Sequence, residues 1–271
     1  MSRLTDCFRE LDENREGGYI PYICAGDPNS EMTLKMIETL CDSGADIIEL
    51  GIPFSDPMAD GPILQEAMIR SLKGGFQMES LFGILDGMRD MGLDQPVVVM
   101  GYYNIIHRMG EGEFCRRLSE AGCDGMIVVD LPLEENGDLD NSCMENDLDL
   151  VNLITPNTPF QRRKRILEGT RGYVYLVSTA GVTGPREGIS DETLAMLKEI
   201  SNSSPVPVAL GFGISGPEQA SLAYGNGAKA VVEGSRIASI YSPHVNDMNA
   251  ALESLGRHAS MMKEALRNND M

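Results

Sequence analysis

Positive charge is what this chain has least of. Its 271 residues include 22 Lys and Arg against 41 Asp and Glu, a net charge of −19. Nucleic acid and anionic membrane both call for a basic stripe that neutralises phosphate, and none is present, so neither is expected as a partner. Long apolar runs are missing too. Hydrophobic residues make up 42% of the chain, yet no run approaches the roughly twenty needed to span a bilayer. Residues 1–15 carry charges of both signs where a signal peptide would need an apolar segment. A cytoplasmic protein is expected.

Clustered metal ligands are absent as well. The six cysteines (Cys7, Cys24, Cys41, Cys115, Cys123 and Cys143) form no C-x-x-C pair, and the three histidines (His107, His244 and His258) stand apart from them. That spacing indicates neither a disulfide framework nor a zinc site. Most of the thiols fall at core or helix positions, where cysteine acts as a small hydrophobe. The acidic surplus adds one constraint: an anionic ligand would have to be held by backbone amides rather than by a general positive field.

What is present is a repeated pattern. β-rich runs at residues 19–24, 47–51, 97–101, 125–129, 148–154, 174–177, 206–211 and 230–233 are mostly continuous in Val, Ile, Leu and Met, as strands of a covered parallel sheet must be. Helical segments fall between them at 31–41, 63–72, 78–91, 113–121, 161–167, 191–200, 218–224 and 247–265, with the least regular between 134 and 146. Ser43-Gly44-Ala45-Asp46, Ala121-Gly122-Cys123-Asp124 and Asn226-Gly227-Ala228-Lys229 each read as a glycine helix stop leading into a strand. Eight such units in about 250 residues predict an α/β fold, a (β/α)8 TIM barrel occupying residues 1–271 as a single domain.

In such a barrel the chemistry sits at the C-terminal strand ends. Glu49 lies in Ile47-Ile48-Glu49-Leu50-Gly51, among apolar neighbours. Burial there costs several kcal/mol, roughly, unless its pKa rises. A carboxyl poised near neutrality can both give and take a proton, while a carboxylate satisfied by a neighbouring strand is the structural alternative. The next loop, residues 52–62, adds Asp56 and Asp60 between three prolines. Each is either a positioned carboxylate or a turn former.

The block Leu50-Gly51-Ile52-Pro53-Phe54-Ser55-Asp56-Pro57-Met58-Ala59-Asp60-Gly61, preceded by Ile48-Glu49, resembles the signature of tryptophan synthase alpha subunits. The resemblance continues through Pro21-Tyr22-Ile23-Cys24-Ala25-Gly26-Asp27-Pro28, Met100-Gly101-Tyr102-Tyr103-Asn104, residues 124–132 and residues 175–184. It implies a lyase that cleaves indole-3-glycerol phosphate to indole and glyceraldehyde 3-phosphate by a retro-aldol step. It further implies Glu49 as acid/base catalyst, Asp60 as acceptor of the indole N–H, and Tyr175 beside the substrate. Tyr22, Met100, Ile127, Val129, Leu153, Tyr175 and Phe212 at the strand ends suit an apolar ring, with ordinary barrel packing as the alternative.

Gly211-Phe212-Gly213-Ile214-Ser215-Gly216 formally fits a dinucleotide fingerprint with Glu233 beyond it, but fewer than forty residues follow and they look helical. The better account puts Gly213 and Gly234-Ser235 after the last two strands as a phosphate cup, completed by Thr183-Gly184. The resemblance supports phosphate contacts at Gly184, Gly213, Gly234 and Ser235, with Thr183 at the substrate. Glu233 and Arg236 stand where the family more often carries small or apolar residues; Arg236 either supplements phosphate binding or forms a surface pair with Glu233 or Glu218. Residues 178–190, rich in Gly and Pro, suit a lid.

The family works with a beta subunit that carries pyridoxal phosphate and receives indole, in an alpha2beta2 complex. No lysine here stands in a plausible Schiff-base context, so this chain is expected to hold no cofactor and no metal of its own. The resemblance turns residues 53–60, Asn104 and Leu131-Pro132 toward that partner. Two rivals remain. Other phosphate-binding barrel enzymes usually need a catalytic lysine, and the Glu49 to Gly61 block argues against them. A catalytically inactive barrel that only binds and activates the beta subunit is opposed by intact Glu49 and Asp60.

Overall fold

A computed structural model describes residues 2–178, 188–211 and 213–267. Its strands are β1 (Gly18–Cys24), β2 (Ile48–Gly51), β3 (Val97–Gly101), β4 (Gly125–Val128), β5 (Asp149–Leu150), β6 (Leu153–Ile154), β7 (Val174–Val177), β8 (Val208–Gly211) and β9 (Ala230–Glu233). Helices α1 (Arg3–Asn14), α2 (Ser30–Asp42), α3 (Pro62–Lys73), α4 (Met78–Asp90), α5 (Tyr103–Met109) and α6 (Glu111–Glu120) belong to the first half. The second half contributes α7 (Gly137–Glu145), α8 (Phe160–Gly169), α9 (Asp191–Ser203), α10 (Pro217–Gly225), α11 (Ser235–Tyr241) and α12 (Met248–Leu266). Among the described residues no helix is long and apolar enough to cross a membrane.

All strand pairs are parallel, in the order β5-β4-β3-β2-β1-β9-β8-β7-β6. The two outermost strands of that order are consecutive in the chain. Val151 N donates to Met126 O of β4 at 2.9 Å, and Tyr175 N of β7 donates to Asn152 O at 3.0 Å. Residues 149–154 therefore act as one strand that closes the sheet on itself, and the expected eight-stranded barrel is the fold. The expected strand at 148–154 appears as two short pieces because its hydrogen bonds switch from one neighbour to the other midway.

Alternation along each strand sorts the side chains. Ile20, Ile47, Val98, Ile127, Val151, Tyr173, Tyr175, Ala209 and Val232 pack together inside the barrel. Their sequence neighbours Tyr19, Ile48, Val97, Val99, Met126, Leu150, Val174, Leu176 and Val231 pack outward against the helices. The helix stops predicted at Gly44, Gly122 and Gly227 have φ of 104°, 80° and 104°, in the left-handed region that glycine enters without strain.

Three helices were not expected as such. In α1, Leu4, Phe8 and Leu11 share one face and join the inner cluster from below, with the Phe8 ring 5.8 Å from Tyr173. Ser2 caps this helix, and Arg3 anchors it to Asp124 at 2.6 Å. The mixed charge of residues 1–15 lies on its outer side. The other two, α5 and α11, are single seven-residue helices directly after strand ends.

Polar ties fasten the outer layer. Lys263 of α12 meets Asp46 at 2.9 Å and Glu16 at 3.0 Å. Asp27, fully buried after β1, takes a two-pronged contact from Arg70 of α3 and a 2.6 Å bond from the Tyr241 hydroxyl of α11. Glu233 corrects a reading from sequence. It points outward from β9 into the layer beneath α12, fully buried, and Oε2 bonds the Tyr19 hydroxyl and His258 Nε2, each at 2.8 Å. It forms no surface pair with Arg236, which is exposed.

Cutting a buried polar tie strands its partner. His258→Leu should lower the unfolding free energy by about 3 kcal/mol. The double variant Glu233→Met, His258→Leu should recover most of that loss. Urea unfolding of the parent, both single variants and the double variant measures this; additive losses would show that the two groups are uncoupled.

Candidate active site

The C-terminal end of the barrel gathers the sequence candidates. Glu49 sits on the inner face of β2, 1% exposed, opposite Tyr22 of β1 in register and Val98 of β3. Its Oε2 is buried and meets no hydrogen-bond partner among the described residues. Burial first, and then the nearby Asp60 carboxylate, push its carboxyl up to about 8. The structural alternative required a satisfying partner for that oxygen. None of the described residues supplies one.

The loop after β2 separates its two aspartates. Asp56 is exposed and takes a hydrogen bond from the hydroxyl of Ser55, which is the turn-former reading. Asp60 turns inward, 8% exposed, and its Oδ2 accepts a 2.6 Å bond from the Tyr102 hydroxyl. Burial raises its carboxyl above the ordinary range while that hydrogen bond opposes the rise. Gly61 and Pro62 then start α3, whose Gln65 amide returns to Asp60 O at 2.8 Å.

The apolar candidates among the described residues border the same mouth. Tyr22, Ile127 and Tyr175 are buried, and Met100, Val129 and Leu153 pack partly buried against the inner cluster. The tyrosines occupy space left by glycine. A methyl group on Gly51 would lie 1.9 Å from Tyr22 Oη, and one on Gly211 would lie 2.0 Å from Tyr175 Oη. Strand ends with side chains at those positions would expel both rings.

Gly213 has φ of 81° beyond β8, and Gly234 precedes α11 at the end of the adjacent β9. The register Gly211↔Val232 sets these two turns side by side, with Ser235 opening the helix. A methyl on Gly234 would lie 3.5 Å from Tyr22, so this turn borders the same mouth. Thr183, Gly184 and Phe212, and residues 179–187 of the expected lid, lie outside the described residues. Among the described residues no group of His, Cys, Asp and Glu could hold a metal. Five of the six cysteines are buried, as their positions suggested.

A family profile for the tryptophan synthase alpha chain matches residues 8–267. The chain belongs to the tryptophan synthase alpha chain family. The alpha chain of Methanosarcina barkeri is 44% identical over 255 residues, covering 94% of this chain and 95% of that one. The alpha chain of Neisseria gonorrhoeae is 39% identical over 267 residues, covering 98% and 100%. Among solved structures, the tryptophan synthase alpha subunit of Legionella pneumophila superposes with a TM-score of 0.90 at 34% identity over 98% of both chains. A chain of the tryptophan synthase complex of Pyrococcus furiosus gives 0.83 at 36% identity, covering 91% of this chain and 98% of that one. Membership brings a lyase-type enzyme function with it.

Sequence reasoning assigned no role to Tyr102, the one hydrogen-bond partner of the Asp60 carboxylate among the described residues. A signal was available: a hydroxyl one residue beyond the strand-ending Gly101.

The raised Glu49 carboxyl has a consequence for stability. It holds its proton in the folded chain up to about pH 8 but loses it in the unfolded chain near 4.5. Folded-state stability therefore falls as pH rises through that window. Glu49→Gln removes the penalty, so its stability advantage over the parent should grow from pH 4.5 and level off above 8, at roughly 5 kcal/mol. Chemical denaturation across that range measures it, and a difference independent of pH would contradict the buried neutral carboxyl.

Proposed function

We propose that this chain is the alpha chain of tryptophan synthase acting as a carbon-carbon lyase, splitting indole-3-glycerol phosphate to indole and glyceraldehyde 3-phosphate. The observation that carries the reading is the pair of unlike carboxyls: Glu49 neutral to about pH 8, and Asp60 held as an acceptor by Tyr102. Environments that push two carboxyls apart allow an acid and an anion to work side by side.

In the proposed reaction Glu49 gives its proton to indole C3. The bond from C3 to the glycerol chain then breaks, its electron pair returning to the ring. The hydroxyl on the departing carbon loses its proton to the Glu49 carboxylate as the aldehyde forms, so protons and electrons balance. Protonation at C3 spreads positive charge to the ring nitrogen, and ionised Asp60, accepting the N–H, stabilises it. Tyr22, Met100, Ile127 and Tyr175, with Thr183 and Phe212, are assigned to the indole and glycerol moieties. Gly184, Gly213, Gly234 and Ser235 are assigned to the phosphate through backbone amides. Residues 1–271 are taken as one domain without a cofactor of its own.

The partner is taken to be a beta subunit carrying pyridoxal phosphate, in an alpha2beta2 assembly. The Pyrococcus furiosus relative is described as part of a tryptophan synthase complex, which supports this. So does the loop after β2, where Met58 is 80% exposed and Phe54 is only half-buried, since an exposed large apolar side chain suits a binding surface.

Release of indole by purified protein, with and without beta subunit, tests the activity. kcat/KM should fall above about pH 8 as Glu49 loses its proton, and Glu49→Gln should lower kcat by roughly 100-fold or more. No turnover even with a competent partner would favour the inactive, activating barrel. Met58→Glu should weaken association with the beta subunit by about tenfold or more, read by titration calorimetry, while leaving the partner-free activity unchanged. Undiminished affinity would place the interface elsewhere.

A further inference from the structure

Asp60 is reached by a neighbour with a defined geometry of its own. Tyr102 leaves the end of β3 and caps the start of α5, 3% exposed. Its hydroxyl donates to Asp60 Oδ2 at 2.6 Å and accepts from Ala59 N at 3.0 Å. Its ring stacks on Phe54, with centroids 4.9 Å apart and planes inclined by 24°. Both ends of the loop segment 54–60 are thus fastened to one side chain from the next strand. The hydroxyl has a single proton, and the bond from Ala59 N fixes which way it points: toward the carboxylate.

We propose that Tyr102 is a positioning residue for Asp60: by occupying Oδ2 it turns Oδ1 toward a ligand N–H and keeps the carboxylate an acceptor. The inference rests on the lyase reading of Asp60. It identifies a residue whose effect on the reaction passes through Asp60 rather than through contact with the reacting carbon. Among the described residues, the other ionisable groups facing Asp60 are Glu49 on β2, Tyr22 and Cys24 on β1, and Tyr175 on β7. None of them is a cation. With burial raising the Asp60 carboxyl and Tyr102 opposing that rise, removing the hydroxyl leaves the burial effect unopposed. A short bond from a neutral donor to a carboxylate stabilises the charged form.

Two variants separate this from simple packing. Tyr102→Phe keeps the ring on Phe54 and deletes the donor; difluorotyrosine in place of Tyr102 keeps the donor and makes it more acidic. The acid limb of kcat/KM should rise by about one pH unit in Tyr102→Phe and fall below the parent position in the fluorinated protein, with thermal midpoints setting the fold control. The carboxyl carbon-13 resonance of Asp60, identified by its loss in Asp60→Asn, should titrate with the same displacements. An acid limb and a resonance that stay at the parent position in both variants, whatever happens to kcat, would overturn the proposal. Should Tyr102→Phe fail to fold, the fluorinated protein decides alone. If the parent turns over no indole-3-glycerol phosphate, the lyase reading fails by itself, and the carbon-13 titration still reads whether Tyr102 governs Asp60.

Discussion

Glu49 carries an ionisable group on a side of the strand that otherwise faces only barrel interior, and the surrounding structure determines what that group can be. β1 and β3 hold β2 on both edges, with Tyr22 and Val98 in register beside Glu49. Ile47 lies two residues below it on the same face, in the inner cluster that α1 closes with Leu4, Phe8 and Leu11. The helix at the far end of the barrel therefore takes part in the electrostatics of the mouth. By closing the bottom it keeps the interior apolar and close-packed, and in such surroundings the neutral form of a carboxyl is favoured. The strand pattern, the plug and the raised carboxyl form one causal sequence.

Asp60 is set apart from Glu49 by what it is attached to. Glu49 hangs from a strand whose backbone is committed to the sheet on both edges. Asp60 ends a proline-stiffened loop that folds over the rim and meets a hydroxyl from the neighbouring strand end. Among the described residues, Oε2 of the one carboxyl meets no donor, while Oδ2 of the other meets the Tyr102 hydroxyl. That difference of a single hydrogen bond, near 1.5 kcal/mol or more when the acceptor is charged, is enough to decide which of two adjacent acids ionises first. Ionisation of the one then discourages ionisation of the other.

The barrel was legible because its signals are local and repeated: continuous apolar strands and glycine stops whose positive φ follows from the chain needing to reverse. The inner and outer strand faces could not be told apart by pattern, since both are apolar, and so the inward aim of Glu49 needed the register. Asp56 and Asp60 looked alike in sequence because both adjoin Pro or Gly; only the path of the loop sends one to solvent and one inward. The surface pair that was one reading of Glu233 does not form, for a related reason. A charged residue at a strand end suggests a surface pair, whereas its partners Tyr19 and His258 lie 214 and 25 residues away along the chain, beyond any local pattern. In α1 the charges were conspicuous and the Leu4, Phe8, Leu11 stripe was not, although the stripe sets its place.

The proposed phosphate cup poses the remaining physical problem, because a chain of net charge −19 has to attract a dianion to turns where the described residues place no buried cation. Backbone N–H groups can do this only if their directions are fixed, since a mobile turn would point its dipoles to water. The turn before α11 is held from its far end: Tyr241, the last residue of that helix, bonds Asp27, which also takes Arg70 of α3. α3 in turn starts beside Asp60. The buried Asp27 thus ties the helix that follows the proposed cup to the helix that follows the Asp60 loop. A displacement at either end must work against the same ion pair. Arg70 is committed to this tie, 2.7 Å from Asp27, so its charge secures the scaffold and, in the proposed cup, the phosphate falls to the amides.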